Sequence, residues 1–206
     1  ITAGQIKANG TIGNRFTVEG GWTTEPGSLP GLFGKTVEMP EHIKNRLKDY
    51  FTGSGSSETD PYLITNAAQL ARLAELVNSD DETIRNKYSN KYYKLMADID
   101  LSDYGKNYRD GKGWVPIGNE TKPFKGYFNG NNKTISGLYI NDSDLSYAGL
   151  FGYIERGSMK NLGLKDVNIT GKDYVGGLAG YNADSTVKRC YASGVVNGSE
   201  NAGGLI

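Results

Sequence analysis

The hydrophobic positions of this chain follow two unlike patterns. Downstream of Tyr147 they alternate: Leu162 and Leu164 flank Gly163, and Val167 and Ile169 flank Asn168. An apolar residue at every second position predicts a strand with one buried face. Between Asn66 and Val77 the spacing changes. Ala67, Leu70, Leu73, Ala74 and Val77 recur at helical intervals and predict one amphipathic helix. Asn66 is the expected N-cap, with Gln69 as the reciprocal partner of a capping box.

The alternating region also repeats. Gly149-Leu150-Phe151-Gly152-Tyr153 returns 28 residues later as Gly177-Leu178-Ala179-Gly180-Tyr181, and Gly204-Leu205-Ile206 opens a third copy after 27 more. The first offset pairs Met159 with Val187, Leu162 with Cys190, Leu164 with Ala192 and Val167 with Val195. Repeats of this length without helices predict stacked coils, each burying its apolar face against the next. The expected fold is all-β, a right-handed parallel β-helix (β-solenoid), the hand following from the general rule for parallel crossovers.

Upstream, Lys94 to Leu101 is expected to begin the coils and Trp114–Ile117 to form the next strand. Phe128, Ile135, Leu138 and Ile140 match Phe151, Met159, Leu162 and Leu164 at offsets of 23 or 24. Asn129-Gly130-Asn131-Asn132 predicts a corner, because Asn and Gly reach positive φ at low cost. The helix at about 66–77 is expected to cap the first coil, whose backbone edge would otherwise lie open.

The remaining segments carry weaker signals. Arg15-Phe16-Thr17-Val18, with Pro26-Gly27 and Pro30-Gly31, predicts short strands and turns over residues 1–34. Such a segment suits the tail of a preceding β domain or a strand laid over the solenoid. Met39 to Tyr50 predicts a short helix, Gly53 to Ser57 a linker, and Pro61 to Ile64 a strand. Ser79 to Asn90 reads as a loop or a short irregular helix. The expected division is an N-terminal appendage, 1–52, and a solenoid with its helix, 53–206.

Tyr174-Val175-Gly176-Gly177-Leu178-Ala179-Gly180-Tyr181-Asn182 and the stretch Val187 to Gly198 resemble GLUG repeats. The resemblance extends over about 126–206. Gly53 to Val77 and Tyr92 to Ser102 are more distantly similar to the segment that leads into such coils. The resemblance implies a non-catalytic part of a bacterial surface or secreted protein, adhesin-like, or the non-catalytic region of the immunoglobulin A1 protease family.

Composition agrees with thin coils. Glycine supplies 29 of 206 residues, hydrophobic residues 37%, and tyrosine 14 positions. With 23 basic and 23 acidic residues, the chain carries no footprint of a nucleic-acid partner. No run is long and apolar enough to span a membrane. The chain starts at Ile1 without a signal peptide, so the expectation is a piece of a longer precursor, placed outside the cell or at its surface. A catalytic domain could lie elsewhere in that precursor.

Candidate chemistry is sparse. His42 has Arg46, not a second histidine, four positions on, so a two-histidine zinc helix cannot form. Asp98 and Asp100 share one strand face and precede Asp103. They suit a calcium site or the carboxylate pair of a polysaccharide lyase or hydrolase, but no second acidic cluster falls in register on a neighbouring coil, and the solvent face of a strand is the better reading. Cys190 shares its register with Leu162 and reads as a buried core thiol. A single cysteine excludes an internal disulfide. Six Asn-x-Ser/Thr triplets, at Asn9, Asn119, Asn132, Asn141, Asn168 and Asn197, follow from corner composition. Tyr139, Tyr147, Tyr153, Tyr174, Tyr181 and Tyr191 could stack on sugars.

No catalytic, cofactor-binding or metal-binding residue is assigned. The expected function is an extracellular binding or display module, with a host or bacterial surface protein or a glycan as partner. End-to-end self-association through an open last coil is also expected.

Overall fold

The computed structural model describes Trp22–Thr23, Gly31–Leu32 and residues 51–206, and the chain divides into units 1–50 and 51–206. In the first unit β1 (Trp22–Thr23) and β2 (Gly31–Leu32) pair antiparallel, Trp22 opposite Leu32. The expected helix at 39–50, the strand at 15–18, and Asn9, His42 and Arg46 lie outside the described residues.

The second unit opens with β3 (Tyr62–Ile64), α1 (Ala67–Val77), α2 (Glu82–Tyr88), β4 (Tyr92–Leu95) and β5 (Ile99–Asp100). It continues with β6 (Tyr127–Ser136), β7 (Tyr139–Asn141), β8 (Phe151–Glu155) and β9 (Ser158–Thr170). Last come β10 (Asp173–Gly176), β11 (Ala179–Ala183), β12 (Thr186–Asn197) and β13 (Glu200–Gly203).

All pairs between these strands are parallel. The largest sheet runs β12-β9-β6-β4-β3, with β5 added to β6 and β7 to β9, while β8 pairs β11 and β10 pairs β13. Each segment therefore lies on the one a repeat earlier, a mostly-β, β-helix-like arrangement. The apolar positions stack in columns. Tyr93, Phe128, Met159 and Val187 form one, Ile99, Ile135, Leu164 and Ala192 a second, and Ile140, Ile169 and Val196 a third. All but the β12 members are buried, and each fully buried large side chain contributes about 1.5–3 kcal/mol. Phe151 knits columns together, its ring centroid 5.1 Å from Phe124 and 5.4 Å from Phe128.

The helix forms where its pattern predicts. Asn66 Oδ1 accepts from the Gln69 N–H at 2.9 Å, and Leu70, Leu73 and Val77 are fully buried. The Gln69 side chain reaches past the N-cap, accepting from the Thr65 N–H at 2.7 Å, so the box closes one residue earlier than expected. α2 occupies the stretch expected as loop or irregular helix, N-capped by Asp81. Among the described residues no helix is long and apolar enough to cross a membrane.

Five expectations need correction. Phe128 faces Met159 and Ile135 faces Leu164, offsets of 31 and 29 rather than 23 or 24. Phe151 instead lies beside Ile117. Within β6 the offset itself changes, because two extra corner residues lie between Asn129 and Lys133, where Asn131 and Asn132 take φ of 53° and 57°. The parallel stack begins at β3, before the helix, not at Lys94. Trp114–Ile117 forms only isolated bridges at its flanks, through Gly113 and Ile117; Pro116 within it has no N–H to give a ladder. Gly53–Ser57 is no linker, since Leu63 N–H donates to Thr52 at 2.8 Å and Tyr92 N–H to Gly55 at 3.1 Å. Finally, Val167 faces Gly194, not Val195.

Candidate functional site

The repeat places a residue in the left-handed region just ahead of each glycine-rich phrase: Tyr147 (φ 61°), Tyr174 (φ 57°) and Asn201 (φ 50°). Asn accepts that conformation readily, whereas a bulky aromatic there is an outlier that its surroundings must hold. Here the rings hold each other. Tyr147 and Tyr174 stack with centroids 5.0 Å apart and planes 4° apart. Gly180 makes the approach possible, because a Cβ on it would lie 2.5 Å from the Tyr174 carbonyl oxygen and 2.6 Å from Tyr147.

A second pair completes the corner. The β8–β11 register sets Tyr153 opposite Tyr181, with rings 4.9 Å apart. Tyr181 stands edge-on to Tyr147 and Tyr174, at 6.2 and 5.4 Å. Tyr181 is exposed and the other three are half-buried. A shallow depression of about 420 Å³ runs beside them, lined by Tyr174, Tyr181, Asn182 and Asn201 among others. Desolvation, then the Glu120 carboxylate, raises the Tyr147 phenol above its ordinary value; desolvation, then Tyr181, raises Tyr153. Both remain hydroxyl donors at neutral pH. The corner thus offers flat apolar rings edged by hydroxyls, a surface suited to sugar rings.

The other candidates sit apart from it. Tyr139 is half-buried, and the exposed Tyr191 ring lies over Gly163. Asp98 accepts from the Thr134 N–H at 2.7 Å, a bond that holds its carboxyl below the usual range. Asp100 accepts from the Ser102 N–H at 2.9 Å and the Ser102 hydroxyl at 3.0 Å. Both carboxylates therefore hold backbone in place, while Asp103 is exposed on the following 3-10 turn. Among the described residues, no three acidic, histidine or cysteine side chains are grouped to hold a metal.

Cys190 faces Leu162 as expected but is half-buried, because β12 is the outermost strand of its sheet. Of the glycosylation-type triplets, Asn132, Asn141, Asn168 and Asn197 are exposed, and Asn119 ties its own turn to Thr121 and Lys122. Two tyrosines not singled out in the sequence, Tyr92 and Tyr127, stack at 4.4 Å. They are one rung apart in the sheet but 35 residues apart in the chain, so the visible repeat did not link them.

Residues 173–197, which carry Tyr174, Gly180 and Tyr181, match the family described as the GLUG motif. The chain carries a GLUG motif. Around it, 137 residues are 38% identical to a protein of Evansella cellulosilytica named as a Gly-rich membrane protein. Over 164 residues the chain is 32% identical to halomucin of Haloquadratum walsbyi, and over 187 residues 25% identical to the immunoglobulin A1 protease of Streptococcus pneumoniae. These alignments cover 64%, 76% and 85% of this chain but only 14%, 2% and 8% of the relatives. A crystal structure of a Bacteroides ovatus protein, named for the immunoglobulin A1 proteases, superposes with a TM-score of 0.50 at 16% identity. It covers 70% of this chain and 41% of its own, and supports the β-helix-like fold alone.

Proposed function

We propose that this chain is a non-catalytic, extracellular binding module of a bacterial surface or secreted protein, adhesin-like, whose tyrosine corner holds sugar rings of a neutral glycan. Its coils form a right-handed solenoid, with α1 as the cap at the β3 end. The observation that carries the reading is the corner itself. Two tyrosines are kept in the left-handed region, at a strain of about 1–3 kcal/mol each; the second, Tyr174, lines an open depression together with the exposed Tyr181, and Tyr147 stacks on Tyr174 behind it. Relatives named as a Gly-rich membrane protein, halomucin and immunoglobulin A1 proteases support a place at or outside the cell surface. A second reading, the non-catalytic region of an immunoglobulin A1 protease-like protein, is favoured by two relatives of that name aligned over 85% and 82% of this chain.

The test is a glycan array probed with the purified chain, alongside incubation with immunoglobulin A. Binding of neutral glycans that is lost in Tyr181→Ala at an unchanged melting temperature supports the corner. Binding that survives Tyr181→Ala and Tyr153→Ala, or no binding at all, rejects it. Cleavage of any glycan or of immunoglobulin A rejects the non-catalytic assignment.

A further inference from the structure

A second surface lies on a different sheet. Along the outward face of β4, β6, β9 and β12 the register aligns two columns. One is Tyr92, Tyr127, Ser158 and Thr186; the other, two residues on, is Lys94, Asn129, Lys160 and Lys188. Their neighbours Tyr93, Phe128 and Met159 point into the core, so both columns face outward. The first column starts with an aromatic platform, Tyr92 and Tyr127 stacked with planes 9° apart. Tyr127 is exposed.

Two connected depressions follow this face. A cavity of about 140 Å³ lies between the loop carrying Glu58 and Pro61 and the strand residues Tyr92, Lys94, Tyr127 and Lys160. A shallower groove of about 580 Å³ shares Tyr127, Ser158 and Lys160 with it and runs on to Arg156, Lys188 and Arg189.

The charge is one-sided. Lys94, Arg156, Lys160, Lys188 and Arg189 line the two depressions against Glu58 and Asp184 alone. Glu58 is already paired with Lys160, which holds its carboxyl below the usual range. Among the described residues, none of the ion pairs involves Lys94, Arg156, Lys188 or Arg189. In a chain of zero formal net charge, such segregation attracts an anionic ligand.

We infer that this groove binds an acidic polysaccharide lying across the strands, with a pyranose ring on Tyr127 and successive carboxylate or sulfate groups on Lys160, Lys188 and Arg189. Rungs of a parallel sheet repeat at about 4.8 Å, so cations from neighbouring coils meet a ligand whose charge also repeats. A nucleic acid fits less well. Tyr92 and Tyr127 fill the stacking gap between themselves, and the sequence pI of about 6.8 is far from the basic footprint that phosphate backbones select. Glu58 competes for Lys160 and therefore weakens the site.

The experiment is calorimetric titration of the purified 206-residue chain with polygalacturonate, chondroitin sulfate, dextran and duplex DNA. Both acidic glycans, or one of them, should bind with an affinity that falls as salt is raised, and dextran should not bind in this groove. Tyr127→Ala, and separately the pair Lys188→Glu with Arg189→Glu, should each weaken binding about tenfold. Glu58→Gln should strengthen it. Tyr181→Ala should leave it unchanged, which separates this site from the tyrosine corner. Melting curves exclude variants that fail to fold; because Arg189 Nε donates to Asn161 Oδ1 at 2.6 Å, Lys188→Glu alone provides the charge reversal that leaves this corner bond in place. The proposal is overturned if neither acidic glycan binds, if DNA binds as tightly as they do, or if binding is insensitive to both Tyr127→Ala and the charge reversals.

Discussion

At Gly194 the repeat drops one residue, and a single backbone position accounts for it. Ala192 faces Leu164 and Gly194 faces Val167, so the offset passes from 28 to 27, and it is still 27 where Gly203 faces Gly176. Gly194 takes a φ of 135°, and a Cβ there would lie 2.1 Å from the Val167 carbonyl oxygen. Gly194→Ala should therefore cost about 1–3 kcal/mol, read as a lower denaturation midpoint; an unchanged midpoint would show that the bulge relaxes freely. Two residues upstream of this bulge pair, Cys190 packs half-buried with its Sγ 3.4 Å from the Lys188 carbonyl. Burial pushes its thiol up. A thiol reagent should react slowly at neutral pH, with a rate midpoint displaced above the ordinary cysteine value near ~8.5. A midpoint at or below that value would contradict the burial. The chain's pattern revealed the pairing of Cys190 with Leu162, because a constant offset carries it. The slip was not legible, since one glycine in a strand serves a corner and a bulge equally well.

Elements show the same division between local and long-range information. α1 was legible because its stripe and N-cap lie within a dozen residues; of the stripe, Leu70, Leu73, Ala74 and Val77 are buried, Ala67 is only half-buried, and Leu76 is added. Coil register in the first half was not. Tyr62 lies 31 residues from its partner Tyr93, and Tyr92 lies 35 from Tyr127, with helices or turns filling the difference. No fixed offset could reveal such pairs, and for that reason the Tyr92–Tyr127 platform escaped the sequence. The helix makes a direct claim on stability. Leu73 is fully buried, and α1 is tied onward by Asn78, whose amide donates to the Pro116 carbonyl at 2.9 Å and accepts from the Gly118 N–H at 3.0 Å. Leu73→Ala should destabilise the fold by about 2–5 kcal/mol, measured by denaturant unfolding. No loss would mean that the helix face does not seal the β3 end of the stack.

Across the whole second unit, the two ends of the main sheet differ, and that difference governs how molecules meet. At one end β3 is three residues long, and α1 and α2 follow it in the chain before β4. At the other end β12 runs for twelve residues, and among the described residues no strand pairs with its outer edge. Its burial pattern records the exposure: the columns that are sealed at Met159, Leu164 and Ile169 end on half-buried Val187, Ala192 and Val196, while Tyr191 and Val195 are 49% and 55% exposed. A long edge with unpaired backbone groups and apolar side chains is a template for another strand. A further coil stacked on β12 and a second copy of the chain would occupy the same edge. The 206-residue chain should accordingly associate as its concentration rises, seen as a growing weight-average mass in sedimentation equilibrium. Placing a charge on the edge by Val195→Lys should shift the chain toward monomer without lowering its melting temperature, because Val195 is exposed and contributes little to the core. A monomer at every concentration, or association that Val195→Lys leaves untouched, would show that β12 is not the contact.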